Sequence, residues 1–146
     1  MFGSHTIHST GLPALDAHDD FIRARRAQLA ARAVSWLRRT RRGPNHPRTL
    51  PANAALGARA ARLEVISLAC IVGTVEPSPQ FDARFRPASE HLRARWERVA
   101  LAHRRGASLP PISVRQGPDG YYVVDGRHRV SVALAAGRRE IDAWVR

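Results

Sequence analysis

The stretch V-V-D-G-R-H-R-V-S-V, Val123 to Val132, changes period halfway along, and the fold turns on that change. Two β-branched residues lead into Asp125-Gly126, the composition of a strand end and a sharp turn. Arg127-His128-Arg129 then opens an apolar segment that reads as a helix. A helix N-terminus carries partial positive charge, so three cationic or titratable side chains in its first turn are unfavourable unless an anion accompanies them. Gly126 permits the turn, and the N–H groups beyond it lack intrahelical acceptors. Arg127 and Arg129 can add forked, charge-assisted bonds to phosphoryl oxygens. His128 can donate or shuttle a proton near neutrality. The alternative is structural: Asp125 caps the helix, and the two arginines reach into solvent or pair with Glu140 and Asp142.

On either side the pattern is regular. Ile112 and Val114 alternate with Ser113 and Arg115, G-P-D-G makes a turn, and Y-Y-V-V-D returns as the partner strand, with one of Tyr121 and Tyr122 buried and the other exposed. The helix ends at Gly137, and Ile141, Ala143 and Val145 alternate in a closing strand. Upstream, Glu64 to Val75 reads as a strand ending near Gly73, and the three prolines of P-S-P-Q-F-D-A-R-F-R-P exclude regular structure. Ser89 caps a helix whose stripe is Leu92, Trp96, Val99 and His103, and Gly106 ends it. Trp96 completes that stripe as a core residue, and His103 sits where the helix dipole favours a cation. Residues 63–146 therefore form an α+β, or mixed α/β, domain of about 80 residues.

The first 62 residues differ. Residues 1–18 have no periodicity and read as a flexible N-terminus. Asp19 or Asp20 caps a helix that runs to Arg42, with Ile22, Leu29, Ala33 and Trp36 on one side and arginines around the rest. Arg38, Arg39, Arg41 and Arg42 fill its last turn, Gly43-Pro44 stops it, and P-N-H-P-R-T-L-P-A-N reads as a linker, so residues 19–62 are an Arg-rich helix plus linker. The net charge is +12, and most of the excess lies in this front segment. Such a charge suits a polyanionic partner, DNA reached through the Arg-rich helix being the candidate. All 24 basic residues are arginine, which with the abundant alanine also fits a GC-rich coding bias needing no partner.

The single cysteine, Cys70 in L-A-C-I-V, excludes an internal disulfide and a Cys-based zinc site, and reads as a buried, inert thiol of a reducing compartment. No apolar run approaches a membrane span and no signal peptide is legible, so the expectation is a cytoplasmic protein without a membrane partner.

From about Val65 to Arg146 the chain resembles the ParB/sulfiredoxin superfamily, most closely its stand-alone ParB-like members. The residues carrying the likeness are Gly73-Thr74-Val75, F-D-A-R-F-R-P from Phe81 to Pro87, Trp96, L-P-P-I from Leu109 to Ile112, and D-G-R-H-R from Asp125 to Arg129. The resemblance implies nucleotide chemistry: CTP, ATP or ADP with Mg2+, held by Asp125, Gly126, Arg127, His128, Arg129, Gly73 and Thr74, with hydrolysis or phosphoryl transfer conceivable. Arg84 and Arg86, in a loop of no other evident purpose, are candidates for reaching a triphosphate. His128, Glu76 and Asp82 are the catalytic candidates, although either acid could instead pair with Arg84 or Arg86.

Departures from the family's branches narrow this. Arg127 stands where sulfiredoxins have their cysteine, which speaks against sulfinic-acid reduction. The chain stops at Arg146 with no helix-turn-helix of the kind that partition proteins carry. D-G-R-H-R matches the D-G-H-H-R loop of free-serine kinases at four of five positions. The other readings are a DNA-associated accessory protein and an inert interaction module.

Overall fold

The structure is a computed structural model that describes residues 9–37, 46–52, 54 and 60–146. Its architecture is α+β: a long N-terminal helix, a mixed six-stranded sheet and two further helices. Helix α1 spans Pro13–Leu37, α2 Arg93–Arg104 and α3 Arg127–Ala135. The strands are β1 (Arg48–Thr49), β2 (Arg62–Ser67), β3 (Ile71–Thr74), β4 (Ile112–Gln116), β5 (Tyr121–Asp125) and β6 (Glu140–Val145), in the spatial order β1-β3-β5-β4-β6-β2. The hairpin read around G-P-D-G is present as the antiparallel β4–β5 pair, and β6 lies parallel to β4. Tyr122 is buried and Tyr121 partly so.

Two apolar clusters meet on α3. Val130 and Ala133 join Ile66, Ile112, Val114, Val123, Ala143 and Val145 against the sheet, whereas Val132 joins Phe21, Phe81, Leu92 and Trp96 on the far side. A helix apolar on both sides is a buried helix, and α3 lies between the sheet and the α1–α2 layer. Trp96 is fully buried, and its indole N–H donates to Ser131 Oγ of α3 at 2.8 Å, so the polar atom of the largest core side chain is satisfied. Ser89 caps a short 3-10 turn, Glu90–Leu92, that leads into α2, and Gly106 follows the helix with φ +68°.

Several expectations for the front of the chain are corrected. The helix begins at Pro13 rather than at Asp19 or Asp20, because Asp16 Oδ1 accepts from Thr10 N (2.8 Å) and Thr10 Oγ1 (2.7 Å) and fastens the preceding turn. Its buried face is Ala17, Phe21, Ala24 and Gln28; Leu29 and Trp36 are exposed, Trp36 at 79%. Phe21 meets Trp96 edge to face at 5.6 Å, and its complete burial contributes about 2–3 kcal/mol to seating α1 on α2. Polar contacts add to this: His18 Nδ1 lies 2.8 Å from Glu97 Oε1, and Arg104 bridges Asp16 and Asp20.

The Pro-rich segment read as linker supplies β1, parallel to β3, tied down by Arg48 Nη1 to Asp119 Oδ2 (2.6 Å), while Tyr122 Oη donates to Asp119 Oδ1 (2.7 Å). The expected last turn of the front helix, Arg38 to Arg42, and its Gly43-Pro44 stop lie outside the described residues. Glu64 to Val75 is two strands, β2 and β3, separated by a 3-10 turn at Leu68–Cys70, which leaves Cys70 exposed instead of buried. No helix among the described residues is long and apolar enough to cross a membrane.

Candidate functional site

The site forms where β5 ends and α3 begins. Gly126 adopts φ +103°, ψ +21°, a left-handed conformation that turns the chain between strand and helix. A Cβ there would lie 2.5 Å from Ile112 Cγ2, so only glycine lets the turn rest on β4. The first hydrogen bond across this turn runs from Val130 N to Gly126 O at 3.0 Å, and the N–H groups of the helix's first turn precede it. Asp125 does not cap the helix with its side chain.

In front of this turn is a cavity of about 300 Å³ lined by Gln80, Phe81, Arg95, Val99, Leu109, Pro110, Val124 and the five residues Asp125 to Arg129. The D-G-R-H-R loop is thus brought together as a unit, but its members divide the work. Arg129 turns back: its guanidinium donates to Pro110 O (2.6 Å), Pro111 O (2.8 Å) and Asp125 Oδ2 (2.6 Å), clamping the L-P-P-I loop to the turn. Neither the expected solvent-facing arrangement nor the pairing with Glu140 or Asp142 describes it. Arg127 is less committed. One Nη lies 3.9 Å from Glu76 Oε2, and its buried Nε has no partner among the described residues. His128 packs edge-on to Phe81 at 5.2 Å, and its Nε2 is likewise buried without a partner.

Burial, with the charges of Arg95 and Arg127 adding to it, pushes the His128 pKa down to about 4. The imidazole is therefore neutral at neutral pH. It can donate or accept one hydrogen bond there, but it does not shuttle a proton near pH 7 as its unperturbed value suggests.

The other sequence candidates lie elsewhere. Asp82 is buried, and both of its oxygens are engaged: Oδ1 accepts from Arg84 N and Arg86 N, each at 2.9 Å, and Oδ2 accepts from Arg86 Nε at 2.7 Å. It organises a tight turn in F-D-A-R-F-R-P, closed by Phe85 N to Asp82 O at 2.8 Å, in which Phe85 takes φ +57° and is kept there by burial of its ring in the sheet cluster. Three of this carboxylate's roughly four acceptor sites are taken, and Asp82 does not line the cavity, so it is placed as an organiser of the turn. Arg86 is held by Asp82 and reaches Ala27 O of α1 at 3.2 Å, and Arg84 is exposed; neither lines the cavity.

Glu76 has an 82% exposed side chain and touches the site only through Arg127. Gly73 is pressed against the Arg48 carbonyl of β1, and buried Thr74 donates its hydroxyl to Glu76 O at 2.6 Å, so both serve the sheet. The Pro-rich loop reaches the cavity through Gln80 and Phe81 instead.

Sequence reasoning missed Arg95. It stands on α2 beside the buried Trp96, and in the sequence it is one of five arginines between Arg93 and Arg105. Only the packing of α2 on α3 brings its charge to His128. Among the described residues there is no group of three or more His, Cys, Asp or Glu that could hold a metal ion. Compared with known proteins, the chain matches no family model, no curated protein and no solved structure.

Proposed function

We propose that the cavity at the start of α3 binds the phosphates of a nucleotide, and that the chain contains a nucleotide-binding module of the ParB/sulfiredoxin type. The observation that supports this most is the pair of buried, unpartnered nitrogens, Arg127 Nε and His128 Nε2, on residues that line a cavity also reached by Arg95. Buried donors and acceptors are ordinarily satisfied, and although Arg25 Nε and Arg93 Nε are also unpartnered, only Arg127 and His128 bring such nitrogens to residues lining one cavity, which supports a ligand there. Two arginines and the first-turn amides make that ligand anionic. Phe81, Val99, Leu109 and Val124 give the cavity apolar walls suited to a sugar or base behind the phosphates.

A nucleotide-bound Mg2+ fits the site if the phosphates supply most of its ligands, as is usual for this ion. Phosphoryl transfer to a hydroxyl needs a carboxylate base, and the cavity's own carboxylate, Asp125, accepts from Arg129.

The test is a thermal-shift and calorimetric panel of CTP, ATP and ADP, each with and without Mg2+, on the full chain and on Arg127→Ala. A ligand at a hundred times its Kd adds about 2.7 kcal/mol of stability to the protein that binds it. At least one nucleotide is expected to raise Tm in the parent chain, and the shift should collapse in Arg127→Ala. No shift with any of them, or an equal shift in the variant, overturns the proposal.

A further inference from the structure

Helix α2 carries a wider cationic feature that includes Arg95, the arginine it also contributes to the cavity. With 3.6 residues per turn, Arg95, Arg98 and Arg105 fall within an arc of about 80° on its outer side. All three are exposed, and Ala102 is the small residue between them. The arc looks away from α1, since the α1-facing side of α2 is marked by Glu97, held to His18, and Arg104, held to Asp16 and Asp20. Arg93, on that other side, pairs with Glu90 at 2.7 Å. None of Arg95, Arg98 and Arg105 has an ion-pair partner among the described residues, and the arc contains no acid. Arg138, exposed just beyond α3, adds a further cation near the C-terminal turn of α2, where after burial its charge is the next cause lowering the pKa of His103.

Uncompensated like charges in a row repel one another, and an external polyanion relieves that repulsion. From Arg95 to Arg105 the helix rises about 15 Å, enough to follow several phosphates of a nucleic-acid strand. Forked guanidiniums suit phosphate oxygens, and the arc has no exposed large apolar side chain to enter a membrane interface. The arginines of α1, the expected DNA contact, are partly spoken for: Arg23 pairs with Asp20 and Arg25 with Gln28.

We propose that the outer face of α2, formed by Arg95, Arg98 and Arg105 with Arg138 near its C-terminal turn, docks the phosphate backbone of nucleic acid without reading its sequence. Anisotropy titrations of a labelled duplex of about 20 base pairs against salt test this, each phosphate contact contributing about 0.9 to the slope of log K on log salt. In Arg98→Gln/Arg105→Gln/Arg138→Gln the slope should become shallower by about 2.7, with more than a tenfold loss of affinity at low salt. Arg26→Gln/Arg32→Gln, removing exposed arginines of α1, should keep most of the parent's affinity. Circular dichroism and urea midpoints establish that both variants are folded. An unchanged slope in the triple variant overturns the proposal, as does an equal loss in the α1 variant or tighter binding to phosphatidylserine vesicles than to duplex. The triple variant leaves Arg95 and Arg127 in place, so its nucleotide-induced thermal shift should match the parent's, which separates failure here from failure of the nucleotide reading.

Discussion

Replacing Gly126 by alanine tests the geometry on which the site depends. The residue sits at φ +103°, so any side chain adds left-handed strain of about 1–2 kcal/mol. The new methyl would also lie 2.5 Å from Ile112 Cγ2 and 2.9 Å from Ile112 Cβ. Ile112 is fully buried and cannot swing away, and forcing a methyl into such packing costs about 1–3 kcal/mol more. The expected loss is therefore about 2–5 kcal/mol, or a fall in Tm of roughly 6–15 °C for a chain of this size. Gly106→Ala is the control: its φ is +68° but nothing lies within 4 Å of where a Cβ would sit, so it loses only the conformational part, about 1 kcal/mol. Urea unfolding of both variants, compared at a common m value, reads the difference. Equal losses would mean that the contact with Ile112 is not what demands glycine, and a Gly126→Ala change under about 0.5 kcal/mol would refute the reasoning altogether.

Two further outcomes follow from the division of labour in the loop. Arg129→Ala strips the donors from Pro110 O, Pro111 O and Asp125, and should cost about 2–3 kcal/mol in urea unfolding, with Arg129→Lys recovering less than half because an ammonium cannot reproduce the fork; a loss below about 0.5 kcal/mol would refute the clamp. The pH dependence of stability should carry the signature of His128. Its pKa is depressed from 6.5 to about 4 in the folded chain, so between those values the unfolded chain binds the proton and the folded chain does not. The His128 contribution should be level above pH 6.5, fall as pH drops towards 4 by about 1–2 kcal/mol once solvent screening of the half-buried ring is allowed for, and level off below. His103 shifts in the same direction, and the lowered Asp16 pKa acts only in more acid solution. His128→Gln should remove most of the slope between pH 6.5 and 4; an unaltered slope would assign it to other groups.

The elements read from period and punctuation are the ones whose signal is local. The β4–β5 hairpin, α3 and the α2 stripe with its Ser89 and Gly106 boundaries all have their determinants within a few residues of themselves. The front helix was harder, because Phe21 at the core of its buried face is surrounded by alanine, glutamine and arginine, while Leu29 and Trp36 carry more hydrophobicity and are exposed. Hydrophobic strength pointed to one side of the helix and the partner surface, Trp96, selected another. β1 has two residues and exists because β3 offers an edge and Gly73 permits close approach, neither of which is written at Arg48–Thr49. In the site, the loop was legible as a motif but the fates of its arginines were not: which guanidinium turns inward depends on where the Pro110 and Pro111 carbonyls lie in space.

The charge at the start of α3 looks excessive in sequence and is much reduced once folded. Arg129 is matched by Asp125 at 2.6 Å, and His128 is held neutral by burial beside two arginines. What remains uncompensated at the helix terminus is Arg127, whose nearest carboxylate is 3.9 Å away on an exposed Glu76, together with Arg95 from α2. A stable turn alone does not call for those two charges beside a cavity, since Arg127 opposes the helix dipole and both depress the imidazole between them. Their remaining charge, after every other charge in the loop has been neutralised, is what the proposed anion would answer. The same logic distinguishes Arg127 from Arg129: substituting Arg129 should damage the scaffold, whereas substituting Arg127 should leave the scaffold intact and abolish the proposed nucleotide binding.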